Sequence, residues 1–352
     1  MSDDAKSVLH QAASDPAKLT AWLDQQSSGW GSLSREAQDQ LVALVPQLAQ
    51  LLDGELTESN YQLHAEICDL LSRMGPRGSE AVAALFRHAE RYPRFELNVL
   101  AIGRIGGQGV VRRLIEWTYW QGGRHDRKRT DAVTSAIGIL GEEAIRQLLE
   151  IANSEVEDSH TRAAALLNLA DDTAYPRLEL IPRMVQEMDR SEMVQCIKVL
   201  GDRLIELGQE YPEKVVTEIS PRLLANSRAA SEFIRILSQL GDSAVSTLSQ
   251  SVIRKVEVIE AISALAGMGD AGLEGLYELL ATSDDYVALL TAIDVIPTSG
   301  ERSLTALADV IQRVSGEDGW GDAVRQTALA RLDRFTDQRV QVEQLLRRWR
   351  ED

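Results

Sequence analysis

Apolar residues recur along this chain at the spacing of one helix face, and polar residues fill the positions between them. In the segment that begins at Gly141, the adjacent apolar residues Ala144 and Ile145 are followed by Leu148, four and three positions later. This period is typical of an amphipathic α-helix. Alternation of apolar and polar residues between hairpin turns, the pattern of a β-strand, occurs nowhere. The pattern therefore predicts an all-α protein.

Many of these apolar stretches end in an apolar residue followed by glycine, and the pair repeats. Successive glycines are 31, 35, 67, 33 and 28 residues apart, and the interval of 67 holds two periods with Leu169-Ala170 at the middle position. A constant period of this length is the signature of stacked helix pairs. The pairs are Met74-Gly75, Ile105-Gly106, Leu140-Gly141, Leu207-Gly208, Leu240-Gly241 and Met268-Gly269.

Each period predicts two helices, because glycine can adopt the left-handed conformation that closes a helix. A short polar turn follows, and the next helix opens with a small residue where two helices must approach closely. Pro46, Pro182 and Pro221 lie inside helix-like segments, where they are expected to produce kinks. One helix of each pair is predicted at 58–74, 94–105, 127–140, 159–169, 190–207, 228–240, 253–268, 284–296 and 322–335.

The repeated segments resemble the HEAT-repeat family, in particular the bacterial HEAT-like repeats related to phycobilin lyases. The resemblance covers roughly residues 57–335 and is carried by ILGEEAIRQLL, QLGDSAVSTLS, MGDAGLEGLYELL and DSHTRAAALLNLA. It implies a right-handed α–α superhelix of about eight to ten stacked helix pairs with one core running through them. The expected organisation is an N-terminal helical cap at 1–55, HEAT-like repeats at 56–336 and a C-terminal capping helix at 337–352, in one continuous solenoid.

The charge and cysteine content narrow the classes of function. The 352 residues include 37 basic and 54 acidic side chains, a net charge of −17, which argues against coating nucleic acid over the whole surface. The two cysteines, Cys68 and Cys196, lie in apolar helical stretches and are expected to be buried thiols. The acidic N-terminus does not have the form of a signal peptide, and no apolar run reaches the ~18 residues of a membrane span. We therefore expect a cytoplasmic protein that does not bind a membrane.

The sequence contains few motifs that would indicate catalysis, a cofactor or a metal site. The string Gly267-Met-Gly269-Asp-Ala-Gly272 fits a dinucleotide fingerprint, but the segment before it is helical and the site coincides with a repeat turn. His64 and Cys68 are too few for a structural zinc site. We expect no catalytic residue, cofactor or metal. An enzyme whose catalytic carboxylates are scattered along the sequence stays an alternative.

A basic belt at residues 77–129 is the most informative stretch for function. It holds eleven basic and five acidic residues, a net charge of +6, so the rest of the chain carries −23. Within it, IEWTYWQGGRHDRKRTD combines aromatic residues with an arginine cluster, a composition that suits a partner-binding patch. The predicted contact residues are Arg94, Trp117, Tyr119, Trp120, Arg124, His125, Arg127, Lys128 and Arg129.

A second interpretation of the belt is structural. Trp117 continues the apolar stripe of Val110 and Leu114, and the arginines are then solvated or paired with acids of adjacent turns. The leading functional hypothesis is a non-enzymatic scaffold or adaptor that binds a protein partner through its concave face or the 117–129 patch. The resemblance implies one alternative, a bilin lyase-like enzyme or chaperone acting on phycobiliproteins. The other alternative is a HEAT-like protein that binds nucleic acid, because aromatic residues can stack on bases while neighbouring basic residues contact phosphates.

Overall fold

The computed structural model describes residues 15–119, 127–172, 175–314, 319–335 and 340–344, without the side chains of 118–119 and 127–130. The described residues form twenty α-helices and three short 3-10 turns, and no β-strand occurs among them. The prediction of an all-α protein is therefore confirmed. The chain divides into two compact units, Met1–Tyr175 and Pro176–Asp352.

The first unit contains ten helices joined by short turns. They are α1 (Pro16–Gly29), α2 (Arg35–Val42), α3 (Val45–Leu52), α4 (Tyr61–Met74), α5 (Val82–Arg91), α6 (Leu97–Ile105), α7 (Val110–Tyr119), α8 (Arg127–Leu140), α9 (Glu142–Asn153) and α10 (Ser159–Asp171). Helices two positions apart pack together in this unit, as α4 does with α6 and α6 with α8. The predicted N-terminal segment is part of this packing, because α1 contacts α4 and α3 contacts α5.

The second unit has ten helices in its described part. They are α11 (Arg177–Arg190), α12 (Val194–Glu210), α13 (Pro212–Leu224), α14 (Ala230–Leu237), α15 (Val245–Ile253), α16 (Val258–Gly267), α17 (Gly269–Thr282), α18 (Tyr286–Val295), α19 (Glu301–Arg313) and α20 (Gly319–Leu332). The odd-numbered helices pack in series from α11 to α19, and the even-numbered helices pack in series from α12 to α20. The unit is therefore built of two layers of helices.

The helix positions agree closely with those predicted from the repeat. Each of the nine predicted segments overlaps one even-numbered helix, from α4 to α20. The boundary between the two units follows α10, which carries Leu169-Ala170 where the other periods carry an apolar residue and glycine. The predicted C-terminal capping helix at 337–352 lies largely outside the described residues, of which 340–344 are helical.

The repeat glycines close their helices as predicted, with one exception. Gly75, Gly106, Gly141, Gly241 and Gly269 have φ between +57° and +69°, the left-handed region. The exception is Gly208, for which the prediction of a helix end is wrong, because α12 continues to Glu210.

Gly208 has a packing role instead. A Cβ placed on it would lie 2.4 Å from Leu240 Cδ2, so glycine is what allows this face of α12 to approach the end of the next repeat. An apolar residue followed by glycine therefore marks either a helix end or a close approach between helices, and the two look alike in the sequence.

The small residue that opens the following helix also lies where the helices approach most closely. A Cβ on Gly272 would be 1.9 Å from the carbonyl oxygen of Leu265, and Ala144 and Ala244 occupy the same place in their periods with no exposed surface. Any larger side chain would push consecutive helices apart, because protein interiors are close-packed.

The prolines divide into two groups. Pro182 and Pro221 lie inside α11 and α13 as predicted. The placement of Pro46 inside a helix is wrong, because the chain turns at residues 43–44 and Pro46 falls in the first turn of α3. Proline is tolerated there, since the first-turn N–H has no intrahelical acceptor to lose.

The Gly272 approach gives a direct test of the helix stacking. Gly272→Ala should lower the free energy of unfolding by about 2 kcal/mol, since the added methyl meets backbone that cannot move aside. Gly267→Ala is the matched control, because its added Cβ meets no atom within 4 Å and alanine is the better helix former by roughly 0.5–1 kcal/mol. Urea unfolding of both variants measures the difference, and equal stabilities would contradict the packing argument.

Candidate interaction surface

Two of the predicted contact residues have described side chains. Arg94 is exposed in the turn between α5 and α6. Trp117 lies in α7 with 7% of its surface exposed, on the same helix face as the buried residues Val110 and Leu114. The burial of Trp117 agrees with the second interpretation, in which it continues the apolar stripe of its own helix.

The other predicted contact residues have no described side chain. Tyr119 ends α7, and Arg127, Lys128 and Arg129 open α8, so the structure places their backbone at the junction of these two helices. Trp120, Arg124 and His125 lie outside the described residues. The 117–129 patch therefore remains a prediction, located at the connection between α7 and α8.

Several cations of the basic belt form ion pairs with acids that lie outside the belt. Arg87 donates two hydrogen bonds to the Asp53 carboxylate, at 3.0 and 2.9 Å, and holds the pKa of that carboxyl below its usual range. Arg91 donates to the backbone carbonyl of Asp53 at 2.7 Å. Arg77 pairs with Asp39. Because each pair is partly exposed, it adds at most about 1 kcal/mol of stability.

Other belt arginines contact neighbouring helices. Arg104 donates to Ser72 Oγ at 2.9 Å, and Arg112 lies 3.2 Å from the Glu157 carboxylate. The Arg113 guanidinium lies over the Phe86 ring at 4.3 Å from its centroid, a cation–π contact between α7 and α5. The local excess of positive charge is therefore partly used to join the protein's own helices.

A buried polar cluster lies between α4, α5 and α6. His64 Nδ1 and His88 Nε2 are 2.7 Å apart, and the two rings expose only 2% and 1% of their surface. The Cys68 thiol donates to Asn98 Oδ1 at 3.3 Å. One imidazole must donate and the other accept across this contact, so two protonated rings cannot share it.

Burial sets the ionisation of this cluster. Desolvation lowers the pKa of His64, and desolvation together with the neighbouring His64 lowers the pKa of His88 to about 4. Burial raises the pKa of the Cys68 thiol, so the sulfur stays protonated. Cys68 and Cys196 are both free and buried, as predicted. Within the described ranges, no three His, Cys, Asp or Glu side chains are placed to hold a metal ion.

Two open grooves lie between neighbouring helices of one layer. The groove between α7 and α9, of about 710 Å³, is lined by Arg112, Arg146, Gln147 and Glu150 among others. The groove between α15 and α17, of about 840 Å³, includes Glu274 and Arg302, which pair with each other. Both grooves carry mixed charge with acids and bases facing one another, so neither selects a ligand of one sign.

A row of exposed apolar side chains was missed by the sequence reasoning. Ile259, Val287 and Trp320 expose 56%, 47% and 61% of their surface. Each is the second residue of an even-numbered helix of the second unit, in α16, α18 and α20. We call these three residues the apolar edge. A signal was present in the sequence, because each follows an acid by two positions, but only the structure shows that these side chains point outward.

No helix in the described part of the chain has both the length and the apolarity that crossing a bilayer requires. The sequence matches no protein-family model and no curated protein.

The histidine pair predicts a pH dependence of stability. Above pH 6.5 both imidazoles are neutral in the folded and unfolded chain, and below it the unfolded chain takes up protons that the buried pair resists. Stability should therefore fall as the pH drops from 6.5 towards 4, by about 2 kcal/mol at pH 5 for His88 alone. Urea unfolding at pH 7 and pH 5 measures this loss.

The matched variant carries His64→Leu and His88→Leu together, which removes both polar partners at once. Carboxylates that titrate near pH 5 contribute equally to both proteins. The loss between pH 7 and pH 5 should be smaller in the double variant, and an unchanged loss would exclude the pair as its source.

Proposed function

We propose that this chain is a non-enzymatic interaction scaffold, a HEAT-like solenoid of right-handed stacked helix pairs that binds a protein partner. The observation that carries the proposal is the packing of alternate helices into two layers in the second unit. Stacking of this kind buries one face of each pair and leaves the outer sides of successive helices as a continuous surface. Such extended surfaces are what repeat proteins use for binding.

The predicted hot spot of this scaffold is the 117–129 patch. Three consecutive cations, Arg127, Lys128 and Arg129, open α8, where positive charge opposes the helix dipole. Proteins tend to break such local rules at functional sites. The neighbouring aromatic residues offer rigid contact area, and arginine offers a planar fork of donors for carboxylates.

A protein partner is favoured over nucleic acid. Arg77, Arg87 and Arg112 already pair with acids of their own chain, so fewer belt cations remain for a line of phosphates. The net charge of −17 opposes a polyanion over the rest of the surface. A short acidic segment of a protein partner can be bound by the few cations of the 117–129 patch.

Charge reversal tests the hot spot. The variant Arg124→Glu, Arg127→Glu, Arg129→Glu should lower recovery of co-purifying partners more than tenfold, because repulsion replaces attraction at the contact. Partners are identified by mass spectrometry after purification of tagged protein from cells that express it. Circular dichroism melting should be unchanged within a few degrees, since the change lies at a helix junction.

The matched control reverses three exposed cations elsewhere, Arg35, Lys198 and Arg334. It has the same net charge as the test variant and should retain its partners. Equal recovery from both variants would remove the patch from the proposal. If the wild-type protein retains no specific partner at all, the scaffold function itself fails.

A further inference from the structure

The apolar edge offers a second surface, and its chemistry defines a partner. This inference rests on the proposed scaffold function and adds the kind of segment that is bound. Two contacts fix the geometry of the edge. Lys255 Nζ lies 2.9 Å from Asp285 Oδ2, which brings the beginnings of α16 and α18 together. Arg331 near the end of α20 donates to the carbonyl of Ile296, which brings the ends of α18 and α20 together.

Because α16 also packs along α18, and α18 along α20, these contacts indicate that the three helices run in the same direction side by side. Their second residues therefore lie in one row at the same end of the layer. Packed helices are about 8–10 Å apart, so the row from Ile259 to Trp320 spans about 20 Å. Two turns of an α-helix rise ~11 Å, so a helix laid across the row would present apolar residues at i, i+7 and i+14 to the three side chains.

The three side chains form an apolar strip with unusual exposure for their size. Trp320 is 61% exposed, and tryptophan is enriched among residues that dominate binding energy. Single exposed apolar residues are ordinary, but three at the beginnings of three packed helices place several apolar side chains at one end of the layer.

The charge around the α16 and α18 part of the apolar edge is acidic. These two helices contain no Lys or Arg. Glu260 lies next to Ile259, and Asp294 lies on α18 about 10 Å farther along the helix than Val287. Both acids are exposed and make no ion pair within the described residues. Asp322 adds a third carboxylate on α20. Residues 251–300 hold two basic residues, Arg254 and Lys255, against eight acids, a net charge of −6. The acids are Glu257, Glu260, Asp270, Glu274, Glu278, Asp284, Asp285 and Asp294.

The cations near the strip are few and partly committed. Lys255 is paired with Asp285, which also accepts from the backbone N–H groups of Val287 and Ala288 and so caps α18. Arg313 of α19 pairs with Asp284 just before α18. Arg254 precedes α16, and Arg325 lies half-buried on α20. The surface therefore presents apolar side chains among carboxylates, and it complements a segment with apolar and basic residues.

We propose that the apolar edge docks a basic amphipathic helix of a partner protein. Its apolar residues lie on Ile259, Val287 and Trp320, and its lysines or arginines meet Glu260, Asp294 and Asp322. A second copy of this chain is the poorer occupant. A two-fold contact would bring the same carboxylates of both copies together, and like charges at an interface are unfavourable.

The test uses a fluorescein-labelled 21-residue helical peptide with leucines at i, i+3, i+7, i+10 and i+14 and lysine elsewhere on its polar face. A peptide with glutamate in place of lysine is its control. Fluorescence anisotropy should show saturable binding of the lysine peptide to the full chain and none of the glutamate peptide. Equal binding of both peptides would overturn the assignment of a basic partner.

Substitutions then locate the site. Trp320→Ser and Ile259→Ser should each lower the affinity for the lysine peptide at least tenfold. Glu260→Gln combined with Asp294→Asn should lower this affinity severalfold and make it less sensitive to salt concentration. The matched controls are Val156→Ser, at an almost fully exposed valine of the first unit, and Glu155→Gln beside it. Variants that melt like the wild type and bind as tightly would overturn the proposal.

Two further measurements separate the possible failures. If sedimentation shows a wild-type dimer that Ile259→Ser converts to a monomer, a second copy occupies the edge and the proposal is wrong. If the edge variants retain all cellular partners while the reversal at Arg124, Arg127 and Arg129 loses them, the scaffold function stands and the edge assignment falls. If no cellular partner is recovered, the scaffold fails, and the peptide titration still decides the edge.

Discussion

Neighbouring helices of this protein must approach closely at small residues, and the rest of the structure depends on that approach. At Gly272 there is no room for a Cβ beside the Leu265 carbonyl, and at Gly103 a Cβ would lie 2.6 Å from the carbonyl of Ala136. A helix can bury its apolar stripe only if its neighbours come within packing distance. Small residues at the contact points allow the helices to pack at this distance, and helices packed in this way form the layers.

The same stacking decides how charge is used. Arg87 and Arg104 reach back by about one repeat to Asp53 and Ser72, and in the second unit Arg235 and Arg302 do the same to Asp202 and Glu274. Such contacts join successive helix pairs at their surface. Much of the positive charge that the sequence concentrates at 77–129 therefore has a structural partner, and this leaves the cations nearest the α7–α8 junction as the basis of the proposed recognition.

The sequence was most informative where one physical requirement leaves one solution. A left-handed residue at a helix end favours glycine, so the repeated glycines, together with the apolar period, located the even-numbered helices. The sequence was less informative where glycine can serve either of two purposes, a helix end or close packing. Gly208 permits close packing inside α12, and the helix does not end there. Pro46 shows the same ambiguity, because a first-turn proline and an interior proline differ only in where the helix begins.

The sequence pattern predicts which side chains are exposed less directly than it predicts helix positions. The burial of Trp117 and the exposure of Trp320 are opposite outcomes for the same residue type, and both depend on which neighbours cover the side chain. Periodicity assigns a residue to a helix face, but residues at a helix start lie beyond the reach of the neighbouring layer. Ile259 and Val287 lie at such starts, so the apolar period alone does not decide their exposure.

The left-handed glycines have a consequence for how the chain is made. They turn the backbone within a residue or two, so the contacts that stabilise a helix lie about one repeat away in sequence, as with Arg313 and the Ser283 carbonyl 30 residues earlier. Chains dominated by such local contacts fold fast, and repeats can nucleate in more than one place. During synthesis, a helix pair can therefore bury its apolar face as soon as the next pair has left the ribosome. The nascent protein then exposes little more than its growing end.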